Sequence, residues 1–236
     1  MEEILTRWQR KYGIDFNTNN IYTGIGIDDR ERSAKNGNYN IVIGAISYTQ
    51  SRCVDDLDII CTEVVHFQDI LGILVTQNVS QSNGMPSAFT QFSDACVYFG
   101  ASGLGKNLRI AVIGTTNTSD ILARCQPSIN PPVSPMNRSQ VVEALTDNPP
   151  LADVYITDYA IIQNLANQNS SLLTAIPLQT NDVQRYIFML PSDHEGLRDL
   201  IDEELRAMQA DGTYTEIFNQ SFSGFDPMPT PPPNFR

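Results

Sequence analysis

Ile41 to Ile46 is an apolar run broken only by the small residues Gly44 and Ala45, and it constrains the fold more than any other segment. A strand that is apolar at successive rather than alternate positions needs cover on both faces. That predicts a parallel sheet flanked by helices, and so an α/β fold. Ser47 and Thr49 follow at its carboxyl end, where open α/β sheets gather loop residues around ligands. Arg52 then adds a planar fork able to grip a carboxylate through two parallel, charge-assisted hydrogen bonds. Read instead as an ordinary surface residue, the same arginine would pair with Asp55 or Asp56.

The 236 residues suffice for one large domain or two small lobes, and a hydrophobic content of 41% is enough to build a core. With 27 acidic residues against 15 basic ones, the formal charge of -12 repels phosphate backbones and anionic headgroups. Nucleic acid is therefore not an expected partner. The longest apolar stretch, 59–75, is interrupted by Glu63, His66, Gln68 and Asp69 and is no membrane-spanning helix, so the chain as given reads as soluble. Its N-terminus lacks the layout of a secretory signal. Cys53, Cys61, Cys96 and Cys125 have neither zinc-site spacing nor a Cys-x-x-Cys motif, so no metal and no cofactor is expected. They are either two disulfides, in any of three pairings, or buried thiols.

Along the chain, Glu2 to Tyr12 reads as an amphipathic helix with Ile4, Leu5 and Trp8 on one face and Gly13 as its stop. Ile14 to Phe16 is a short strand or an irregular link, and Asp28 to Lys35 a charged helical turn closed by Asn36-Gly37. Ile70 to Thr76 is a strand. The stretch 77–107 has no clean period and predicts loops with one short helix near 88–98. Leu108 to Ile113 reads as a buried strand. From it, Gly114-Thr-Thr-Asn-Thr-Ser-Asp120 turns into a helix starting at Ile121, where free N–H groups and hydroxyls can receive an anion or simply cap the helix. Prolines make 129–135 a loop, and Ser139 to Leu145 a short helix follows. Ala152 to Asp158 is a strand with Asp158 at its carboxyl end. There the carboxylate can hold an ammonium group or cap the next helix, Tyr159 to Ala166. Val183 to Leu190 is a strand stopped by Pro191, Leu197 to Met208 a patterned helix and Tyr214 to Phe222 a last short one.

In this order the motifs resemble the extracellular solute-binding proteins of the amino-acid type, family 3, whose type 2 periplasmic-binding fold is shared with ionotropic glutamate receptor ligand cores. The likeness covers most of the chain. Asn36 to Arg52 resembles the family's glycine turn, strand, threonine-rich turn and arginine; Leu108 to Leu122 its second-lobe strand, Gly-Thr turn and helix. Ala152 to Asp158 is similar to its Ala-Asp-strand-Asp segment, and Leu197 to Phe222 to its closing helices. The resemblance implies a two-lobed α/β fold with lobe 1 in 1–72 and 192–224, lobe 2 in 73–191, and a proline-rich tail in 225–236. Such proteins open with a central strand before their first helix, so the first lobe is expected to lack that strand.

The resemblance also implies a site. Arg52 would hold the α-carboxylate of an amino acid, Ser47 would support it, and the Ala45 carbonyl would face the α-ammonium. Thr115 and Thr116 would donate N–H groups to the carboxylate and Asp158 would accept from the ammonium. A buried zwitterion is tolerable when each charge meets an opposite one, and such a site needs no catalysis. The expected protein is a periplasmic or extracellular binder that serves uptake through a membrane permease or sensing through a receptor's transmembrane part. The alternatives are a dehydratase-like enzyme on the same fold, with Glu63, Asp94 and Asp158 as its available carboxylates, or a degenerate relative that binds nothing. His66 and His194 read as surface residues.

Overall fold

The computed structural model describes residues 1–13, 24, 26, 29–113, 117–125, 140–178 and 183–222. Two compact units emerge, one from Met1–Gln68 and the stretch returning at Arg185, the other from Asp69–Gln184. The chain therefore crosses after Gln68 and after Gln184, ahead of the 72/73 and 191/192 divisions expected from motif order.

In the first unit, α1 (Glu2–Tyr12) buries Ile4, Leu5 and Trp8. Its acidic first turn and basic last turn complement the helix dipole, and Gly13 ends it at φ 67°. The expected strand 14–16 lies outside the described residues. α2 (Arg30–Lys35) buries Ser33 and Ala34, exposes Arg32 and Lys35 and keeps Arg30 and Glu31 half-buried. α3 (Gln50–Cys53) is one turn, capped by the Thr49 hydroxyl accepting from the Arg52 N–H. β1 (Ile59–Cys61) and β2 (Phe67–Asp69) follow, and β2 carries the chain into the second unit.

The second unit is built on a mixed four-stranded sheet. β3 (Leu71–Thr76) is its hydrophobic spine and runs into α4 (Gln77–Ser82), capped by Thr76, which the sequence did not suggest. α5 (Phe92–Phe99) occupies the region where one short helix is expected. β4 (Ile110–Ala111) is shorter than the strand expected over 108–113, and α6 (Asn117–Leu122) begins before Ile121. After α7 (Val141–Thr146) come β5 (Val154–Asp158), α8 (Tyr159–Gln168) and β6 (Leu173–Leu178). The strand order is β4-β5-β3-β6, with β4 parallel to β5 and both neighbours of β3 antiparallel to it.

Strand alternation sorts the side chains of this sheet into two cores. Ile73, Val75, Ile156 and Ile176 pack with Tyr98 and Phe99 on one face. Leu74 and Tyr155 meet Val141, Leu145, Ile162 and Ala166 on the other. Gly72 lets α8 lie close: a Cβ there would stand 2.6 Å from both Ile162 Cδ1 and Tyr159 Cδ2.

The chain returns through β7 (Gln184–Tyr186), paired with β2, and β8 (Met189–Pro191), antiparallel to β1. Where one strand is expected over 183–190, Ile187 and Phe188 separate two. α9 (Glu195–Ala210) and α10 (Thr213–Ser221) close the described chain. Residues 187–190 alternate between two cores. Phe188 and Leu190 pack with α1 and α9, while Ile187 and Met189 pack with Ala34, Val42, Ile46 and Ile59.

The run 41–46 departs from expectation. It is not a parallel strand but an interrupted antiparallel partner of 185–189. Val42 exchanges both backbone hydrogen bonds with Met189 (2.8 and 3.0 Å), Ile187 N–H donates to the Ile46 carbonyl, and Tyr48 N–H to that of Arg185. Residues 43–45 thus stand opposite Phe188 alone, as a bulge closed by the Ile46 N–H donating to the Gly44 carbonyl. Gly44 supplies the φ of 148° this requires. Val42 and Ile46 are buried, whereas Ile43 is 38% exposed.

Candidate functional site

In the first unit, the loop beyond the bulge delivers three of the residues singled out from sequence. Thr49 fixes the start of α3, and a disulfide from Cys53 to Cys61 ties the end of that turn to β1. Arg52, between them, has its backbone anchored on both sides. Its side chain is only 19% exposed, and Nη1 donates to the Ser47 carbonyl. Nε and Nη2 each stand 2.7 Å from Glu31 Oε1. The fork thus holds a carboxylate, that of its own chain. The alternative pairing with Asp55 or Asp56 does not form. Asp56 meets Lys35 at 2.5 Å, and Asp55 accepts from Gln50 at 3.4 Å.

Ala45, pushed outward by the bulge, turns its carbonyl to the neighbouring residue of α2: Arg30 Nη1 donates to it at 3.1 Å. A cation therefore lies on the carbonyl assigned to an α-ammonium, beside a carboxylate on the arginine assigned to an α-carboxylate. Sequence alone marks 28–35 only as a charged helical turn and singles out neither residue. The adjacent opposite charges of Arg30 and Glu31 on a short helix are the signal that could have found them.

In the second unit, Asp158 ends β5 opposite Leu71 and immediately precedes α8. The expected capping role does not belong to it, because its side chain makes no cap hydrogen bond. Asp69 takes that role: Oδ2 accepts from the Ala160 N–H at 3.0 Å and Oδ1 from the Ile70 N–H at 2.8 Å. Asp69 is 5% exposed. Burial pushes its carboxyl up to about 7, the charge of Asp158 adds to this, and the two N–H donors oppose it. An acid opening the wholly apolar segment 70–75 is the sequence signal for Asp69. Thr115 and Thr116 lie outside the described residues, and α6 begins just beyond them.

The remaining candidates have structural work. Asp94 completes a capping box with Gln91, and Glu63 pairs with Arg206 at 3.4 Å. His66, expected at the surface, packs its ring 4.4 Å from that of Phe188 with Nδ1 closed off from solvent. Desolvation pulls its pKa down to about 3. His194 precedes α9, with Nδ1 2.6 Å from Asp193. Among the described residues no group of three or more His, Cys, Asp or Glu is placed to hold a metal ion.

No family model and no curated protein matches the sequence. Solved structures do match. The GluR0 ligand-binding core in complex with L-glutamate aligns at a TM-score of 0.66 and 17% identity, over 91% of this chain and 85% of that one. ArtJ, the arginine-, lysine- and histidine-binding protein of Geobacillus stearothermophilus, aligns at 0.67 and 20% identity, over 98% and 86%. The amino acid ABC transporter substrate-binding protein AbpA of Streptococcus pneumoniae, bound to L-arginine, aligns at 0.67 and 11% identity, over 93% and 81%. The chain has their fold. It is the two-lobed α/β fold of periplasmic-binding-protein type, and these three neighbours are binding proteins rather than enzymes.

Proposed function

We propose that the chain binds an amino acid or a similar small zwitterion without turning it over. The residues assigned to ligand contact in this reading are Arg52, Ser47, Ala45, Thr115, Thr116 and Asp158. The observation that carries this reading is the Arg52 guanidinium. It is rooted by a cap and a disulfide, braced on the Ser47 carbonyl, and turned onto a carboxylate, in a fold whose solved examples hold glutamate and arginine. A planar fork so braced suits the flat, bidentate carboxylate group. Asp158 enters the reading as the carboxylate at the carboxyl end of β5.

The two disulfides favour an oxidising compartment, and so a periplasmic or extracellular setting. There the protein would hand its ligand to a membrane permease, or signal its presence through the transmembrane part of a receptor.

Calorimetry and thermal-shift screening against the common amino acids test the reading. At least one should bind, and Arg52→Ala and Asp158→Ala should each weaken it by roughly 30-fold or more, since truncating one member of a buried charged pair costs about 2–5 kcal/mol. No binding to any amino acid, by the parent chain or by Glu31→Gln, overturns the proposal. Chemical turnover of a bound ligand would also overturn it.

A further inference from the structure

The two consecutive residues that open α2 carry the charges of a zwitterion, and they fall on the atoms assigned to one. Glu31 places its carboxylate on the Arg52 fork, and Arg30 places its guanidinium on the Ala45 carbonyl. We infer that Glu31 is a built-in occupant of the Arg52 carboxylate site, an autoinhibitory contact that an incoming ligand carboxylate has to displace. The inference rests on the proposed binding function and adds to it a competitor carried by the protein itself.

The packing shows how such displacement works. α2 is not a lid: Ala34 is buried in the same core as Val42, Ile46 and Met189, and Lys35 is tied to Asp56. Exchange of one carboxylate for another on Arg52 therefore needs a side-chain rotation and no helix movement. Glu31 is free to make it, since its side chain is 46% exposed while that of Arg52 is 19% exposed. A released Glu31 has a destination, because Lys35 lies one turn on along the helix and already feels its charge beside that of Asp56. Arg52 itself need not move. The Ser47 carbonyl holds Nη1 and the capped turn holds the backbone, so the fork stays oriented whichever carboxylate it receives. The contact is also weak enough to be exchanged, because an ion pair with one half-exposed partner is screened by water and salt.

Two readouts on the parent chain and Glu31→Gln decide the matter. Folding of the variant is confirmed by circular dichroism and thermal melting. In the first readout, phenylglyoxal labels accessible guanidinium groups and peptide mass spectrometry quantifies Arg52. The parent should be protected, and Glu31→Gln should label several-fold faster. In the second, calorimetry with the amino acids should give about 1.5- to fivefold tighter binding to Glu31→Gln, the range expected when a half-exposed ion-pair competitor is removed. Binding of an amino acid by Glu31→Gln but not by the parent would support the inference more strongly. Equal labelling of Arg52 in the two proteins overturns it. So does a parent that binds an amino acid while folded Glu31→Gln binds it no tighter, in which case the binding function stands and only the competitor falls. If neither protein binds any amino acid, the binding function fails and takes the inference with it.

Discussion

Asp69 is buried and His66 half-buried with Nδ1 closed off from solvent, one in each unit, and they move stability in opposite directions with pH. Asp69 in the folded chain titrates near about 7 because burial disfavours its charge, against roughly 3.9 when exposed. Between those values the folded state binds the extra proton. Its contribution to stability is complete below about pH 4 and is lost as pH rises through about 7. Asp69→Asn removes that loss, so denaturant unfolding at about pH 5 and about pH 8 should find the variant comparing better with its parent at the higher pH. The His66 imidazole, held down to about 3 by desolvation, contributes stability above its unfolded value of roughly 6.5. That contribution is lost as pH falls toward about 3. His66→Phe should therefore flatten the acid limb of the unfolding profile. Arg52 is legible in the sequence because it stands directly after a hydroxyl-rich turn at the end of an apolar run, where a cation can meet an anion. Its partner is not, since Glu31 lies 21 residues away and the packing of α2 into the core with Val42, Ile46, Ile59 and Met189 brings it there.

Elements whose side chains repeat with a clear period are the readable ones. α1 and α9 present one apolar stripe each and the sequence places them closely; β5 is placed by a short run buried at successive positions on both faces. Three-residue strands such as β1, β2, β7 and β8 carry too few positions for any period, and their pairing comes from segments more than a hundred residues apart. The bulge at 43–45 shows a further limit. Gly44 and Ala45 read as small interruptions of a strand, whereas they are what lets the backbone leave the ladder. Two substitutions test the packing. Trp8→Ala opens a cavity among α1, α9 and Leu190 and should cost about 3–5 kcal/mol. Gly72→Ala drives a methyl into Ile162 and Tyr159, with the Ile176 carbonyl 3.2 Å away. It should cost about 1–3 kcal/mol, as overpacking does. Both are measured by denaturant midpoints at constant slope.

At the scale of the molecule, each unit carries one disulfide. Cys53–Cys61 spans 8 residues and Cys96–Cys125 spans 29. Loop entropy predicts about 2–4 kcal/mol for such links, more for the longer one. Replacing Cys96 and Cys125 by Ala should thus lower stability more than replacing Cys53 and Cys61. Under the proposed function the shorter link should matter more for amino-acid affinity, because it holds the turn that carries Arg52. Of its own accord the sequence determined the α/β class, the order of the main helices and strands, the acidic surface, and Arg52 and Asp158 as site candidates. All of these follow from local period, composition or a residue's position at the end of an apolar run. Tertiary structure alone decided which cysteines pair, that Asp69 rather than Asp158 caps α8, and that Glu31 and Arg30 meet the Arg52 loop. These depend on the distance in space between residues remote in the chain, which no local pattern encodes.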